Sequence, residues 1–154
     1  MKNKMINDYC YDGLGFPILI DKVEMVDYQG ELHPKIDVKK VSDQDIKELA
    51  FQKTRLTGNQ VKFIRSYFSM PLREFGSKVV HESHTAVSKW EKKEDKVTLM
   101  NDNTEQVLRL YIIEQVISKT KTKQKLFFEY FQKSKDFFNA DNDSSELLHI
   151  SSFA

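Results

Sequence analysis

At 154 residues the chain is long enough for one domain with its own core, or for a small domain with appendages. Its 31% charged and 40% hydrophobic residues exclude a low-complexity disordered chain. The net charge of +1 hides an uneven distribution: residues 51–100 hold ten Lys and Arg against five Asp and Glu, net +5. The flanks carry −3 (seven against ten in 1–50) and −1 (seven against eight in 101–154), an asymmetry that points to a polyanion partner or to a solvated basic face.

The elements follow in chain order. Phe16–Ile20 and Val23–Val26 are short apolar runs separated by Asp21-Lys22, a candidate tight turn. Tyr28-Gln29-Gly30-Glu31 is a second turn leading into Leu32–Val38, where Pro34 fits only an edge strand. The expectation is a small antiparallel meander over residues 1–41, which needs something to pack on. At Ser42 the period changes to that of a helix: Ser42 is an N-cap candidate with Asp45 three residues on, and Ile46, Leu49, Ala50 and Lys53 follow at helical spacing. Thr57 caps a second helix carrying Val61, Ile64, Arg65 and Phe68. A third starts near Pro71, with Leu72, Phe75, Gly76, Val79 and Val80 as its apolar face. A fourth starts at Ser83 and turns Val87 and Trp90 inward, with Trp90 in the core. Lys92–Lys96 is a charged exit loop. Helix resumes after Asn103, with Val107, Leu108, Tyr111, Ile112, Gln115 and Val116 on one side. Residues 119–123 interrupt it. An aromatic-rich C-terminal helix is expected within 119–140, and 141–154 reads as a partly ordered tail.

The segment Met70–Glu91 carries the functional signal. Two short amphipathic helices joined by three or four residues are what a helix-turn-helix requires. Its first helix braces, and its second lies in the major groove with its N-terminal side chains on base edges. The helices must approach closely, and Gly76 sits where that contact falls. A mid-helix glycine costs roughly 1 kcal/mol against alanine, so a packing reason is expected. His84, Thr85, Ser88 and Lys89 are left to face outward.

The segment resembles the XRE (Cro/repressor-like) helix-turn-helix family, whose pattern is roughly L-A-x-x-L-G-V-S-x-x-T-I-S-x-W-E. Phe75-Gly76 stands for the Leu-Ala pair, Val80 for the following apolar residue, and Ser83–Glu91 for the remainder. Leu56-Thr57-Gly58-Asn59-Gln60-Val61-Lys62-Phe63-Ile64-Arg65 is similar to the L-T-G-x-E-I-R-F-L-R opening of antitoxins of the MqsA and HigA kind. Phe75 to Trp90 is one residue longer than the usual pattern, and His81-Glu82 stands where the turn glycine is common; a lengthened turn would re-aim the second helix. The resemblance implies that Ser83, His84, Thr85 and Ser88 face bases, while Lys89, Lys92 and Lys93 reach phosphates, with Arg73 touching the backbone from the bracing helix.

The elements together give an α+β fold: a small β-rich segment (1–41) precedes a helical domain (42–118), repressor-like by the resemblance, and the C-terminal helix (119–140). The expected function is that of a transcriptional repressor binding operator DNA as a homodimer, with a cognate toxin as a second partner in the antitoxin case. The Phe/Tyr-rich segment 126–138 is a candidate dimer interface and equally a candidate for the protein's own core. The alternative is a protein-interaction module that keeps the fold with little DNA specificity.

No enzyme, cofactor or metal is expected. The single Cys10 makes no internal disulfide or Cys-rich zinc site, so MqsA-type zinc binding does not carry over. His81 and His84 are three apart without a third ligand, the glycines form no phosphate loop, and Ser83 and Ser88 have no nucleophile-elbow context. The longest apolar runs, such as Phe16–Ile20 and Leu110–Ile113, are too short to span a bilayer. Lys2 and Lys4 are not followed by an apolar secretory stretch, so the expected location is the cytoplasm.

Overall fold

The apolar runs Phe16–Ile20 and Val23–Val26 do not fold back on each other at Asp21-Lys22. In the computed structural model, which describes residues 4–117, 125, 129 and 148–150, they form one strand, β2 (Ile18–Tyr28). Ile18, Ile20, Val23 and Met25 are all buried along it. These positions break the two-residue period between Ile20 and Val23, although the pairing register is the same on both sides of the break. Across from it lies β1 (Lys4–Tyr11). Asn7 pairs with Lys22 and Tyr9 with Ile20, and the intervening Asp8 turns to φ 51°. The pattern break that suggests a turn is therefore an irregularity inside a continuous ladder. β1 escapes sequence reading because it is an edge strand, exposed or half-buried throughout, and so shows no clean alternation.

The second expected turn is present. Gln29 and Gly30 both have positive φ (54° and 86°), as a two-residue hairpin requires, and the Gly30 amide donates to Asp27 Oδ1 at 2.9 Å. The hairpin leads into β3 (Glu31–Pro34), which pairs antiparallel with the end of β2 and terminates at Pro34 on the sheet edge. β4 (Leu148–Ile150) pairs parallel with Ile18–Ile20. It shares with β3 the side of β2 away from β1. Part of the expected tail is thus a strand of the N-terminal sheet.

The first helix, α1 (Val38–Phe51), starts four residues before Ser42. Asp37, rather than Ser42, supplies the cap, its Oδ1 accepting from the Lys40 amide at 3.2 Å. The chain divides into two compact units within this helix, between Asp45 and Ile46; β4 belongs to the sheet unit.

The helical unit contains α2 (Gly58–Tyr67), α3 (Leu72–Phe75) continued by a π-helical turn (Gly76–Val80), and α4 (His84–Glu91). It ends with α5 (Asp102–Ile112), which runs into a second π-turn (Ile113–Ile117). Its core is Ile46, Leu49, Ala50, Leu56, Val61, Ile64, Phe75, Val79, Val80, Val87, Leu108 and Ile112, close to the expected apolar faces. Trp90 is half-buried. The start of α5 is set by Asn101, whose Oδ1 accepts from the Asn103 amide at 2.8 Å. Its inward face differs from the apolar stripe. Val107 is 39% exposed, whereas Glu105 and Arg109 are fully buried.

Those two side chains close a polar knot. Glu105 accepts from the Leu56 amide (3.0 Å), Arg55 Nε (3.3 Å) and Arg109 Nη2 (3.2 Å). Arg109 also donates to the carbonyls of Gln52 and Thr54, and Arg55 to Asp102 and the Met100 carbonyl. The Gln52–Leu56 connection is thereby tied to α5 by charge-assisted bonds. The expected C-terminal helix, and the aromatic segment 126–138 within it, lie outside the described residues apart from helical Lys125 and Glu129. Among the described residues no helix is long and apolar enough to cross a membrane.

Candidate functional site

Two glycines let three short helices meet. At Gly76 an added Cβ would lie 2.5 Å from the Glu82 carbonyl oxygen, so the chain leaving the π-turn passes directly over this residue. The Gly76 carbonyl accepts from Glu82 N at 3.0 Å, and from the His81 amide. The contact expected at Gly76 is present, made to the turn backbone. At Gly58 an added Cβ would lie 2.4 Å from the Trp90 carbonyl and 2.6 Å from the Glu94 amide. This glycine is where the end of α4 rests on the start of α2. The Thr57 hydroxyl accepts from Gln60 N (3.2 Å) while the Gln60 side chain accepts from Thr57 N (3.1 Å), a reciprocal capping box.

The bracing helix ends in a wider turn: Gly76–Val80 winds as a π-turn, which accommodates one more residue than an α-helical turn. Phe75, Val79 and Val80 stay buried. His81 then takes the left-handed conformation (φ 55°, ψ 42°), the role a glycine fills at no steric cost. Three residues, His81–Ser83, connect the helices, and Ser83 caps α4 as expected, its Oγ accepting from Ala86 N at 3.1 Å.

The inner side of α4 is held by Val87, fully buried, and by Glu91. Arg65 of α2 grips Glu91 with two parallel bonds (Nε–Oε2 2.7 Å, Nη2–Oε1 2.9 Å) and donates a third to the Met70 carbonyl at 3.0 Å. The hydrogen bond to Glu91 raises the Arg65 pKa above its ordinary value, against a lowering by desolvation. Sequence reading places Arg65 on an apolar stripe without assigning it a partner; a guanidinium in such a stripe is itself a sign of an internal carboxylate. The pair also changes the charge near Lys92-Lys93. Glu91 is turned inward and neutralised, and of the two flanking acids only Glu94 faces solvent.

Ser83, His84, Thr85, Lys89, Lys92, Lys93 and Arg73 are exposed. At helical spacing, Thr85, Lys89 and Lys92 occupy the face opposite Val87, whereas His84, three residues before Val87, is exposed at the first turn of the helix. Ser88 departs from this group: it is half-buried and lines a cleft with Asn59 and Lys62 of α2. Ser83 is exposed, but its oxygen is engaged in the cap. Lys78 is held by Glu74 at 3.0 Å on the outer face of α3. Tyr111, against the edge of Phe68, has its pKa raised by desolvation and by Glu114 and Glu74.

His81 lies in the turn and His84 at the start of α4. Among the described residues no cluster of three or more His, Cys, Asp or Glu is arranged to hold a metal ion, and Cys10 is an exposed free thiol. Comparison of the chain with protein-family models, curated proteins and solved structures returns no match.

Proposed function

We propose that the chain is a sequence-specific DNA-binding transcriptional regulator that reads the major groove with α4. The observation that carries this reading is the two-sidedness of α4. Val87 and the Arg65–Glu91 pair anchor one side, while Thr85 and Lys89 stand exposed on the other; Ser83 and His84 are exposed at the N-terminal end, and Arg73, Lys92 and Lys93 are exposed as well. Hydroxyl and imidazole groups suit base edges, and lysine neutralises phosphate with a steep salt dependence. Thr85 and Lys89 lead into the groove and His84 supports them. Ser83, with one lone pair of its oxygen committed to the cap, keeps its hydroxyl hydrogen and a second lone pair.

The resemblance to repressor-like proteins extends the reading to a homodimer on a two-fold operator. It represses its own operon and, as an antitoxin, binds a cognate toxin. No catalytic step, cofactor or metal enters.

The test is binding to a fluorescent duplex from upstream of the protein's own gene, against a scrambled duplex, across a salt series. The variant is His84→Ala/Thr85→Ala. Ser83 is retained, because Ser83→Ala would remove the α4 cap at a cost of about 1 kcal/mol and confuse folding with recognition. The expected result is selective, salt-sensitive binding by the wild type and lost selectivity in the variant, with weak unselective binding kept. A wild type without selectivity, matched by the variant, sinks the reading.

A further inference from the structure

One cleft beside α4 is not used by its base-reading face. This open cleft of about 370 Å³ is lined by Asn59 and Lys62 of α2, Leu72 at the start of α3, Ser88 and Glu91 of α4, its C-cap Lys92, and Glu94. Its polar lining is dominated by donors: a side-chain amide, two ammonium groups and a hydroxyl. The Glu91 carboxylate brings no free charge, since Arg65 holds both of its oxygens. Two ammonium groups therefore face one exposed carboxylate, Glu94.

We propose that this cleft seats a backbone phosphate of the bound duplex, with Lys62 and Lys92 as its cations and Asn59 and Ser88 as neutral donors. The inference rests on the DNA-reading proposal and adds residues to it: Lys62 and Asn59, on α2, outside the helix-turn-helix segment. A phosphodiester carries one negative charge and several acceptor oxygens, which matches a donor-lined, net-cationic cleft of this size. Ser88 and Lys92 belong to the cleft as well as to α4 and its C-cap, so a strand lying along α4 comes within their reach. Ser88 accordingly bonds phosphate rather than a base. Glu94 opposes the bound charge and weakens binding.

The experiment uses the full chain and the same upstream and scrambled duplexes, with Lys62→Met and Glu94→Gln, both exposed positions. Lys62→Met is expected to weaken binding to both duplexes by the same factor, roughly tenfold near 0.1 M salt. It should also reduce the salt slope by about one, the change that follows when one phosphate is no longer neutralised. Glu94→Gln is expected to tighten binding to both. An unchanged salt slope in Lys62→Met, or an unequal weakening that alters selectivity, overturns the phosphate seat; so does a Glu94→Gln variant that binds no tighter. If the wild type is selective and His84→Ala/Thr85→Ala abolishes this while Lys62→Met keeps the slope, only the cleft assignment falls. If the wild type shows no salt-dependent binding to either duplex, both proposals fall.

Discussion

Gly58→Ala tests whether the seat of α4 on α2 depends on a missing side chain. The new Cβ would lie 2.4 Å from the Trp90 carbonyl oxygen, 2.6 Å from the Glu94 amide and 2.9 Å from the Glu91 carbonyl. All three are backbone atoms that cannot rotate away. Carbon-to-oxygen contacts settle near about 3.3 Å or beyond, so the end of α4 must retreat by roughly 0.9 Å. That retreat strains the bonds Gly58 N–Lys96 O (3.1 Å) and Asn59 N–Glu94 O (2.8 Å), each contributing about 1 kcal/mol. It adds overpacking of about 1–3 kcal/mol. The gain in helix propensity from glycine to alanine offsets at most about 1 kcal/mol. The net expectation is a loss of about 2 kcal/mol, read in urea unfolding as a midpoint lowered by about 1 M. Gly30→Asn is the contrast. Gly30 has open space around it and is kept for its φ of 86°, which asparagine tolerates, so its midpoint should barely move. A Gly58→Ala protein as stable as the wild type would refute the close-approach argument.

Other perturbations follow from the same geometry. Glu105→Ala leaves Arg109, buried to the last atom, without its carboxylate; a loss of about 3–5 kcal/mol is expected, and a urea midpoint near wild type would show the knot to be dispensable. His81→Gly relieves a left-handed, exposed non-glycine residue and should stabilise by roughly 1 kcal/mol after the unfolded-state entropy is counted. That gain appears as a melting temperature a few degrees higher; a lower one contradicts the strain argument. Tyr111 has a folded pKa raised above its ordinary 10.0. The stability its neutral form lends is complete below that ordinary value and is lost as pH rises through the higher folded value. Tyr111→Phe should therefore flatten the alkaline fall in unfolding free energy, and superimposable profiles for the two proteins would exclude this linkage.

Much of the helical unit is legible in the sequence because its signals are local. Thr57 and Ser83 cap the helices that follow them, as their positions predict, since a cap needs only its own hydroxyl and an amide three residues on. Val61, Ile64, Phe75, Val79, Val80 and Val87 are buried because helical periodicity alone assigns their faces. Gly76 stands out because a mid-helix glycine carries a cost that packing must offset. The sheet is less legible. Asp21-Lys22 marks a real break in alternation, but an irregularity within a continuous ladder and a turn leave the same mark, and only the partner strand β1 distinguishes them. Ser42 has the chemistry of a cap, yet Asp37 starts the helix, because competing caps are decided by where the preceding chain comes from.

The order of the helices, the inward faces of α2 to α4 and the candidate reading face of α4 thus follow from local chemistry along the chain, whereas α5 turns Glu105 and Arg109 inward and Val107 outward. Features that join residues far apart depend on how the elements pack. These are the Arg65–Glu91 grip, the Glu105–Arg109–Arg55 knot, the return of Leu148–Ile150 to β2, and the cleft that brings Lys62 next to Ser88. The connection between α3 and α4 shows the division most clearly. Local chemistry marks Ser83 as the cap of the second helix, but the π-turn at Gly76–Val80 and the left-handed His81 appear only in the structure, because they depend on keeping Phe75, Val80 and Val87 buried on either side.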